Sequence, residues 1–389
     1  MSDYLSGNQL RLLYNGNHYF PFLLRALREA QREIFLESYI FADDQTGQEV
    51  LDALVAAAMR GVEVKLHLDG FGAGDFPEKW RVRLARAGAR LLFFRPGLKG
   101  IHLNRAHLRR LHRKLVVVDG EVAFIGGINI INDFNQAPGL PPRYDYAVQV
   151  RGPVVAQMHH AADQLWRQTA WVHLKKHWAR RSRIHPDQKT PSGQSAAKFL
   201  FRNNLRHRRD IEHEYRAAIE HARHEIIIAN AYFLPGYGFR HALMAAAARG
   251  VRVVLLLQGR VDHLILHYAS QGLYRQLLSA GVEIYEYRRG FMHAKVATVD
   301  GRWSTVGSSN IDPFSLLLAR EANLFVRDIT FAAQLHGDLR RVLSEQAVPV
   351  RLEDLRHVGI AQRVFQWVCY GFVRLAMSLS GYGGSRNLE

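Results

Sequence analysis

The sequence predicts an α/β fold made of two similar α/β sandwich halves that build one shared site at their interface. Three observations carry this prediction. The pattern H-x-K-x-x-x-x-D-G occurs twice, starting at His112 and at His293, 181 positions apart. Each copy continues into an apolar stretch ending in a small-residue turn with an asparagine: Gly126-Gly127-Ile128-Asn129, then Gly307-Ser308-Ser309-Asn310. Ahead of each copy, strand-like and helix-like segments alternate in the same order, as in a sheet covered by helices.

In the first half, apolar residues at Leu23, Leu24, Leu27 and Ala30 give Phe22–Arg32 the spacing of a helix face. Branched and aromatic residues mark Ile34–Phe41, which holds Glu37 and Tyr39, as a strand. The alanine-rich Gly47–Arg60 reads as a helix stopped by Gly61, because glycine tolerates the left-handed backbone of a helix end. Val62–Leu68 is the next strand. A short helix (Trp80–Arg86) and strand (Arg90–Phe94) precede a basic loop that leads to His112. The second half repeats the order: helix His213–Arg223, strand Glu225–Phe233, helix His241–Arg249 capped by Gly250, strand Val251–Gln258. The offset between matching positions drifts from 192 at Glu33/Glu225 to 181 at the histidines, as loop insertions make it in a duplicated fold. The chain thus divides into an N-terminal half (1–174), a basic linker (175–207), a C-terminal half (208–350) and a tail (351–389). The linker reading rests on weak periodicity and on Pro186, Pro191, Ser192 and Gly193.

A hydrophobic fraction of 48% with 22% charged residues over 389 positions is that of a folded protein with ample core, which excludes a disordered chain. The formal charge of +17 and pI near 10.2 are unusual, and such a field attracts polyanions, either nucleic acid or an anionic lipid surface. Cys369 is the one cysteine, so no internal disulfide forms and a reducing compartment fits. Met1–Gly16 shows no signal peptide, and no uninterrupted apolar run reaches the ~18 residues of a membrane span.

Alternate residues of a strand face one side, so His112 and Lys114 point to one place, as do His293 and Lys295. Leu115–Val118 behind them reads as a buried strand, with Asp119-Gly120 and Asp300-Gly301 where a hairpin turns. An imidazole with a pKa of about 6.5 both attacks and donates protons near neutrality. Lysines beside it place fixed positive charge against the non-bridging oxygens of phosphorus. With Asn129 and Asn310, this set suits a phosphodiester. One histidine attacks phosphorus to give a phosphohistidine, and the other protonates the leaving oxygen; the roles reverse when a second hydroxyl or water attacks. No metal or other cofactor is called for, since the lysines supply its charge. The catalytic candidates are His112, Lys114, Asp119, His293, Lys295 and Asp300, the two aspartates favoured as turn supports over direct participants. Ser308 is either a site donor or a tight-turn residue. Glu37 and Asn230, at nearly equivalent strand positions, either line the pocket or are strand-end polar groups.

These motifs resemble the signature of the phospholipase D superfamily, the duplicated H-x-K-x-x-x-x-D. The resemblance implies a carboxylate downstream of each asparagine turn as partner to each histidine. Asp145, in Arg143-Tyr144-Asp145-Tyr146, takes that place after His112, and Glu321, in Arg320-Glu321-Ala322-Asn323, after His293. Such carboxylates would fix the tautomer and orientation of each ring. Within the superfamily the chain is similar to the B-type cardiolipin synthases of Gram-negative bacteria, most specifically in Phe124-Ile125-Gly126-Gly127, Ile228–Tyr237, Glu286-Tyr287-Arg288-Arg289 and Thr305–Pro313. That resemblance implies phosphatidyl transfer from one phosphatidylglycerol to another, giving cardiolipin and glycerol. It also implies anionic phospholipids as partners and a peripheral place on the cytoplasmic face of the inner membrane. The last forty residues share little of it.

The tail has its own pattern. Between Val358 and Leu379, Gly359, Arg363, Gln366, Tyr370, Arg374 and Ser378 form one stripe, opposite Val364, Phe365, Val368, Phe372, Leu375 and Leu379. This is an amphipathic helix that lies on a membrane or packs on the protein's own core. Two basic stretches with interleaved aromatic or apolar residues, Lys99–Lys114 and Trp171–Arg183, suit the same anionic surface. They suit DNA phosphates equally, so the rival reading is a metal-independent phosphodiesterase of the same superfamily acting on nucleic acid or hydrolysing phospholipid. A catalytically dead binding protein is the third, disfavoured by two intact motifs. Oligomeric state stays open, although a duplicated chain can complete its site as a monomer.

Overall fold

Each half begins with a strand, not with the first amphipathic helix. In the computed structural model, which describes residues 3–95, 109–135, 139–187, 190–203, 207, 209–261, 264–312, 319–356 and 359–377, the first half runs β1 (Leu5–Tyr14), α1 (Asn15–Glu29), β2 (Glu33–Ser38), α2 (Gln45–Met59), β3 (Glu63–Asp69), α3 (Glu78–Arg86), β4 (Arg90–Phe94), β5 (Arg110–Leu111), β6 (Leu115–Val118), β7 (Val122–Gly126), β8 (Tyr146–Arg151) and α4 (Val154–Val172). The second half runs β9 (Ser195–Phe201), α5 (Asp210–His221), β10 (Glu225–Asn230), α6 (Tyr237–Ala248), β11 (Arg252–Gln258), α7 (Leu264–Ser279), β12 (Glu283–Tyr287), β13 (Lys295–Val299), β14 (Trp303–Gly307), β15 (Ala319–Arg320), β16 (Ala322–Arg327) and α8 (Ile329–Glu345). Then come β17 (Ala347–Val350) and α9 (Ile360–Met377).

Fifteen of these strands form one sheet in the order β17-β12-β11-β10-β13-β14-β16-β9-β1-β8-β7-β6-β2-β3-β4. The seam between the halves is the antiparallel pair β1–β9, with Leu5 opposite Ala197 and Asn8 opposite Ser195. On one face, α4 and α8 cover a core common to both halves, where Met158 and Trp166 join Leu335 and Leu339 around Phe35, Val117, Ile227 and Val296. On the other face each half has its own core: Ile34 and Leu36 under α1–α3, and Ile226 and Ile228 under α5–α7. The alternation of Phe35 with Ile34 and Leu36 is the period of two that separates the sides of a strand.

The predicted elements of both halves are present. Asp44 caps α2 by accepting from the Gly47 N–H at 2.9 Å, and Gly61 ends it at φ 92°. The linker reading needs correction. Within 175–207, β9 pairs with both β1 and β16 at the centre of the sheet, so the second half starts there and not at 208. Its seven residues include Lys198, buried in an ion pair with Glu214 at 2.6 Å, and the adjacent Pro/Gly-rich run hides the strand pattern.

The tail helix α9 packs on α7 with Gln366, Cys369, Tyr370 and Val373 directed inward and Val364, Trp367, Val368, Phe372 and Leu375 exposed. Part of the stripe expected to face water therefore faces the protein. The side chains of Arg363 and Arg374, residues 378–389, and Lys99 and Arg105 of the first basic stretch lie outside the described residues. Among the described residues, no helix is long and apolar enough to cross a membrane.

Candidate active site

Both histidines sit just before a central strand. His112 and Lys114 precede β6, and His293 precedes Lys295, the first residue of β13. Between His112 and Lys114, the Arg113 guanidinium donates to both oxygens of Glu37, Nε to Oε2 at 2.7 Å and Nη2 to Oε1 at 2.5 Å. Both partners are buried. Glu37 therefore anchors the motif backbone to β2 and is not a pocket-lining acid. The ladders pair Glu37 with Leu115 and Asn230 with Lys295, so the counterpart of Glu37 in β10 is Ala229. Asn230 accepts from the Ile311 N–H at 3.2 Å, which fastens the asparagine turn to β10. On the first side, Asn129 does the matching job by accepting from the Ile40 N–H at 3.2 Å.

The carboxylates pair with the histidines crosswise. His112 Nδ1 lies 2.9 and 3.1 Å from the two oxygens of Glu321. His293 Nδ1 lies 2.7 Å from Asp145 Oδ2. Each histidine is thus held by the other half, which corrects the expected pairing within each copy. The backbone explains the exchange. β5 pairs in parallel with β15, setting Leu111 beside Arg320, and the His112 N–H donates to the Arg320 carbonyl at 3.0 Å. In the reciprocal contact, the His293 N–H donates to the Tyr144 carbonyl at 2.8 Å and Tyr144 bridges Met292. In both places the residue before a histidine lies against the residue before the opposite carboxylate.

The two pairs are not equivalent. The Ser308 hydroxyl donates to Glu321 Oε2 at 2.5 Å and its oxygen accepts from the Ala322 N–H at 3.1 Å. Ser308 is thus a positioning donor to a carboxylate. Its counterpart is Gly127, where a Cβ would meet the Asp145 carboxylate at 2.2 Å. Burial opposes the Glu321 charge, yet His112, Lys114 and Ser308 outweigh it and hold its pKa below the ordinary value. Asp145 has less help, and burial pushes it up to about 7. Burial lowers both imidazoles, His293 further, with Lys295 and Lys114 adding to the effect there. Lys114, buried against the positive Lys295, is pushed down to about 7. Its ammonium donates to the His112 carbonyl at 2.9 Å, and Lys295 donates to the His293 carbonyl. Two buried lysines flanking two imidazoles put positive charge where the non-bridging oxygens of an anionic phosphodiester would sit.

Asp119 and Asp300 are at the far ends of β6 and β13, and their inclusion among the catalytic candidates is corrected. Asp119 (φ 54°) with Gly120 (φ 70°), and Asp300 (φ 52°) with Gly301 (φ 61°), make the left-handed corners of type I′ hairpins. The Asp119 carboxylate accepts from the N–H groups of Gln31, Arg32 and Glu33 at 2.8–2.9 Å. Asp300 does the same for Arg223, His224 and Glu225. Each aspartate thereby ties its hairpin to the start of the neighbouring antiparallel strand, β2 or β10. Asp119→Ala should lower unfolding stability by about 2–3 kcal/mol, from three lost charged acceptor bonds and a left-handed alanine, with turnover changed less than about threefold. Denaturant titration and initial rates check both; a rate loss at unchanged stability would return Asp119 to the chemistry.

Several neighbours of the site carried no expectation. The Tyr39 ring packs edge-on to His112 at 5.0 Å, with the Lys114 ammonium 5.3 Å from its centroid. Asp69 is buried and accepts from the Leu111 N–H at 2.6 Å, fixing the approach to His112. Arg202, at the end of β9, donates its N–H to the Glu321 carbonyl at 2.8 Å. Only Tyr39, on a strand ending near the motif, left a trace in the sequence. Among the described residues, no group of three or more histidine, cysteine or acidic side chains is arranged to hold a metal ion.

The sequence matches the family described as "Cardiolipin synthase, PLD-like domain" over residues 23–166 and 215–343, one segment in each half. Cardiolipin synthase B of Escherichia coli K12 is 40% identical over 341 residues, covering 87% of this chain and 81% of that protein. A cardiolipin synthase of a Geobacillus species is 31% identical, covering 92% of this chain and 71% of its own length. Among solved structures, phosphatidylserine synthase of Haemophilus influenzae superposes with a TM-score of 0.69 at 16% identity, over 97% of this chain and 96% of that one. At that identity the likeness concerns the fold.

Proposed function

The chain belongs to the cardiolipin synthase family with phospholipase D-like domains, and from that premise we propose that it transfers a phosphatidyl group from one phosphatidylglycerol to another. The observation that supports this reading best is the crossed pair of histidine–carboxylate contacts around two buried lysines. His112 is the nucleophile, because the charged Glu321 beside its Nδ1–H favours the cation that forms when Nε2 bonds to phosphorus. As the P–N bond forms, the P–O bond to glycerol breaks and His293 gives its proton to the departing oxygen. The hydroxyl of a second phosphatidylglycerol then loses its proton to His293 and attacks the phosphohistidine. That step releases His112 and yields cardiolipin. Lys114, Lys295, Asn129 and Asn310 hold the non-bridging oxygens in both steps.

The substrates are bilayer lipids, and the surface fits a peripheral enzyme on an anionic leaflet. The outward apolar residues of α9 and the exposed Trp171, Val172 and Leu174, next to Lys175 and Lys176, are the docking elements. The purified chain, incubated with phosphatidylglycerol vesicles and a chelator, should release one glycerol per cardiolipin formed. Cleavage of DNA with no lipid product would overturn the reading in favour of a nucleic-acid phosphodiesterase.

A further inference from the structure

On the outer side of the second half, α6, α7 and α9 enclose a cleft of about 560 Å³. It is not one of the places the histidines, lysines or carboxylates of the active site occupy. Arg240 lines it from α6, and only 7% of that residue is exposed. Its Nη1 donates to Gln276 Oε1 at 2.8 Å, while its Nε is buried without a hydrogen-bond acceptor in the protein. Among the described residues, no carboxylate lies within ion-pair distance of Arg240 or of Arg275, which lines the same cleft from α7. A buried guanidinium with no anionic partner is expensive, and proteins keep such a group where an anion arrives.

The rim identifies the anion. Trp367 and Tyr370 of α9 line the cleft opposite Gly272 of α7. Immediately outside, Trp367, Phe372 and Leu375 are 73%, 57% and 59% exposed. Four large apolar side chains of one helix, Val364, Val368, Phe372 and Leu375, face away from the protein, while Phe365 packs edge-on to Tyr268 at 5.2 Å. An exposed apolar ridge beside an unpaired cationic cleft matches the two ends of a phospholipid.

We propose that this cleft is a second, non-catalytic lipid site. It takes the phosphate of a bilayer phospholipid against Arg240 and Arg275, while the outer face of α9 sits among the acyl chains. The site rests on the reading of the chain as a lipid enzyme. It adds an anchor that holds the protein on anionic membrane independently of the lipid in the active site.

The test uses the full chain, co-sedimentation with vesicles of phosphatidylglycerol or of phosphatidylcholine, and turnover on a short-chain, detergent-dispersed phosphatidylglycerol. Arg240→Gln with Arg275→Gln should weaken binding to phosphatidylglycerol vesicles about 30-fold, from two lost cationic contacts. Turnover on the dispersed substrate should change less than about twofold. The exposed Arg275→Gln alone, which does not touch the core, should weaken binding about fivefold. Phe372→Ser with Leu375→Ser should release the protein from both kinds of vesicle. Unchanged vesicle binding by the arginine variants overturns the proposal, even if wild-type protein makes cardiolipin. Protection of Arg240 by inorganic phosphate, with vesicle binding unchanged, also overturns it by making the site one for free anions. Arginine-dependent vesicle binding in a protein that forms no cardiolipin would instead keep the site and remove the transferase reading.

Discussion

His112→Ala should abolish cardiolipin formation, a loss of about four orders of magnitude or more, because a covalent step without its nucleophile retains only binding and electrostatic help. His293→Ala should lose nearly as much with phosphatidylglycerol. The two variants separate when the leaving group needs no proton. With a phosphatidyl ester of 4-nitrophenol, His293→Ala should still release a burst of nitrophenolate and hold a phosphoryl group on the protein, whereas His112→Ala should give neither. Rapid-quench kinetics and acid-labile phosphorus bound to protein provide the readout. A burst in His112→Ala and none in His293→Ala would reverse the assignment. No burst in either would remove the phosphohistidine from the mechanism.

Much of this site was legible because duplication prints each half twice. The spacing of His112, Lys114 and Asn129 against His293, Lys295 and Asn310 announces two half-sites, and Gly61 and Gly250 mark matching helix ends. The sequence does not reveal which carboxylate meets which histidine. Position along the chain pairs Asp145 with His112, but two short backbone contacts between the halves, Leu111–Arg320 and Met292–Tyr144, exchange the partners. Such contacts are two residues long or less and have no periodicity to read. The same limit hid β9, whose strand pattern is short and follows prolines and glycines. In α9 the period was visible but its direction was not. A helix with one apolar and one mixed stripe normally buries the apolar one, and here Gln366 and Tyr370 turn toward the protein instead.

The crossed pairs should respond differently to loss of charge. Glu321→Gln keeps the shape of the side chain but removes the anion beside His112. An amide NH₂ facing Nδ1 would also favour the tautomer that carries hydrogen on Nε2, the atom that must attack. A loss of about 10⁴ in kcat follows, as for other histidine-orienting carboxylates. Asp145→Asn acts on the acid side and should appear in the pH profile. With Asp145 held at about 7, the His293–Asp145 pair keeps its shared proton below that pH and loses it above, so kcat/KM falls as pH rises through about 7. Lys114, also at about 7, loses its charge over the same range, and the wild-type limb should approach a two-proton slope. In Asp145→Asn, His293 has no anion to favour its charged form, so one deprotonation should move to lower pH and the slope near 7 should drop to that of Lys114 alone. Glu321→Gln should lower the height of the limb and move the Lys114 deprotonation to lower pH, because the Glu321 charge chiefly holds that ammonium up against burial. The His293–Asp145 proton stays near 7. Equal losses of kcat in the two variants would mean that the two carboxylates share one role, and the asymmetry set by Ser308 opposite Gly127 would lose its mechanistic meaning.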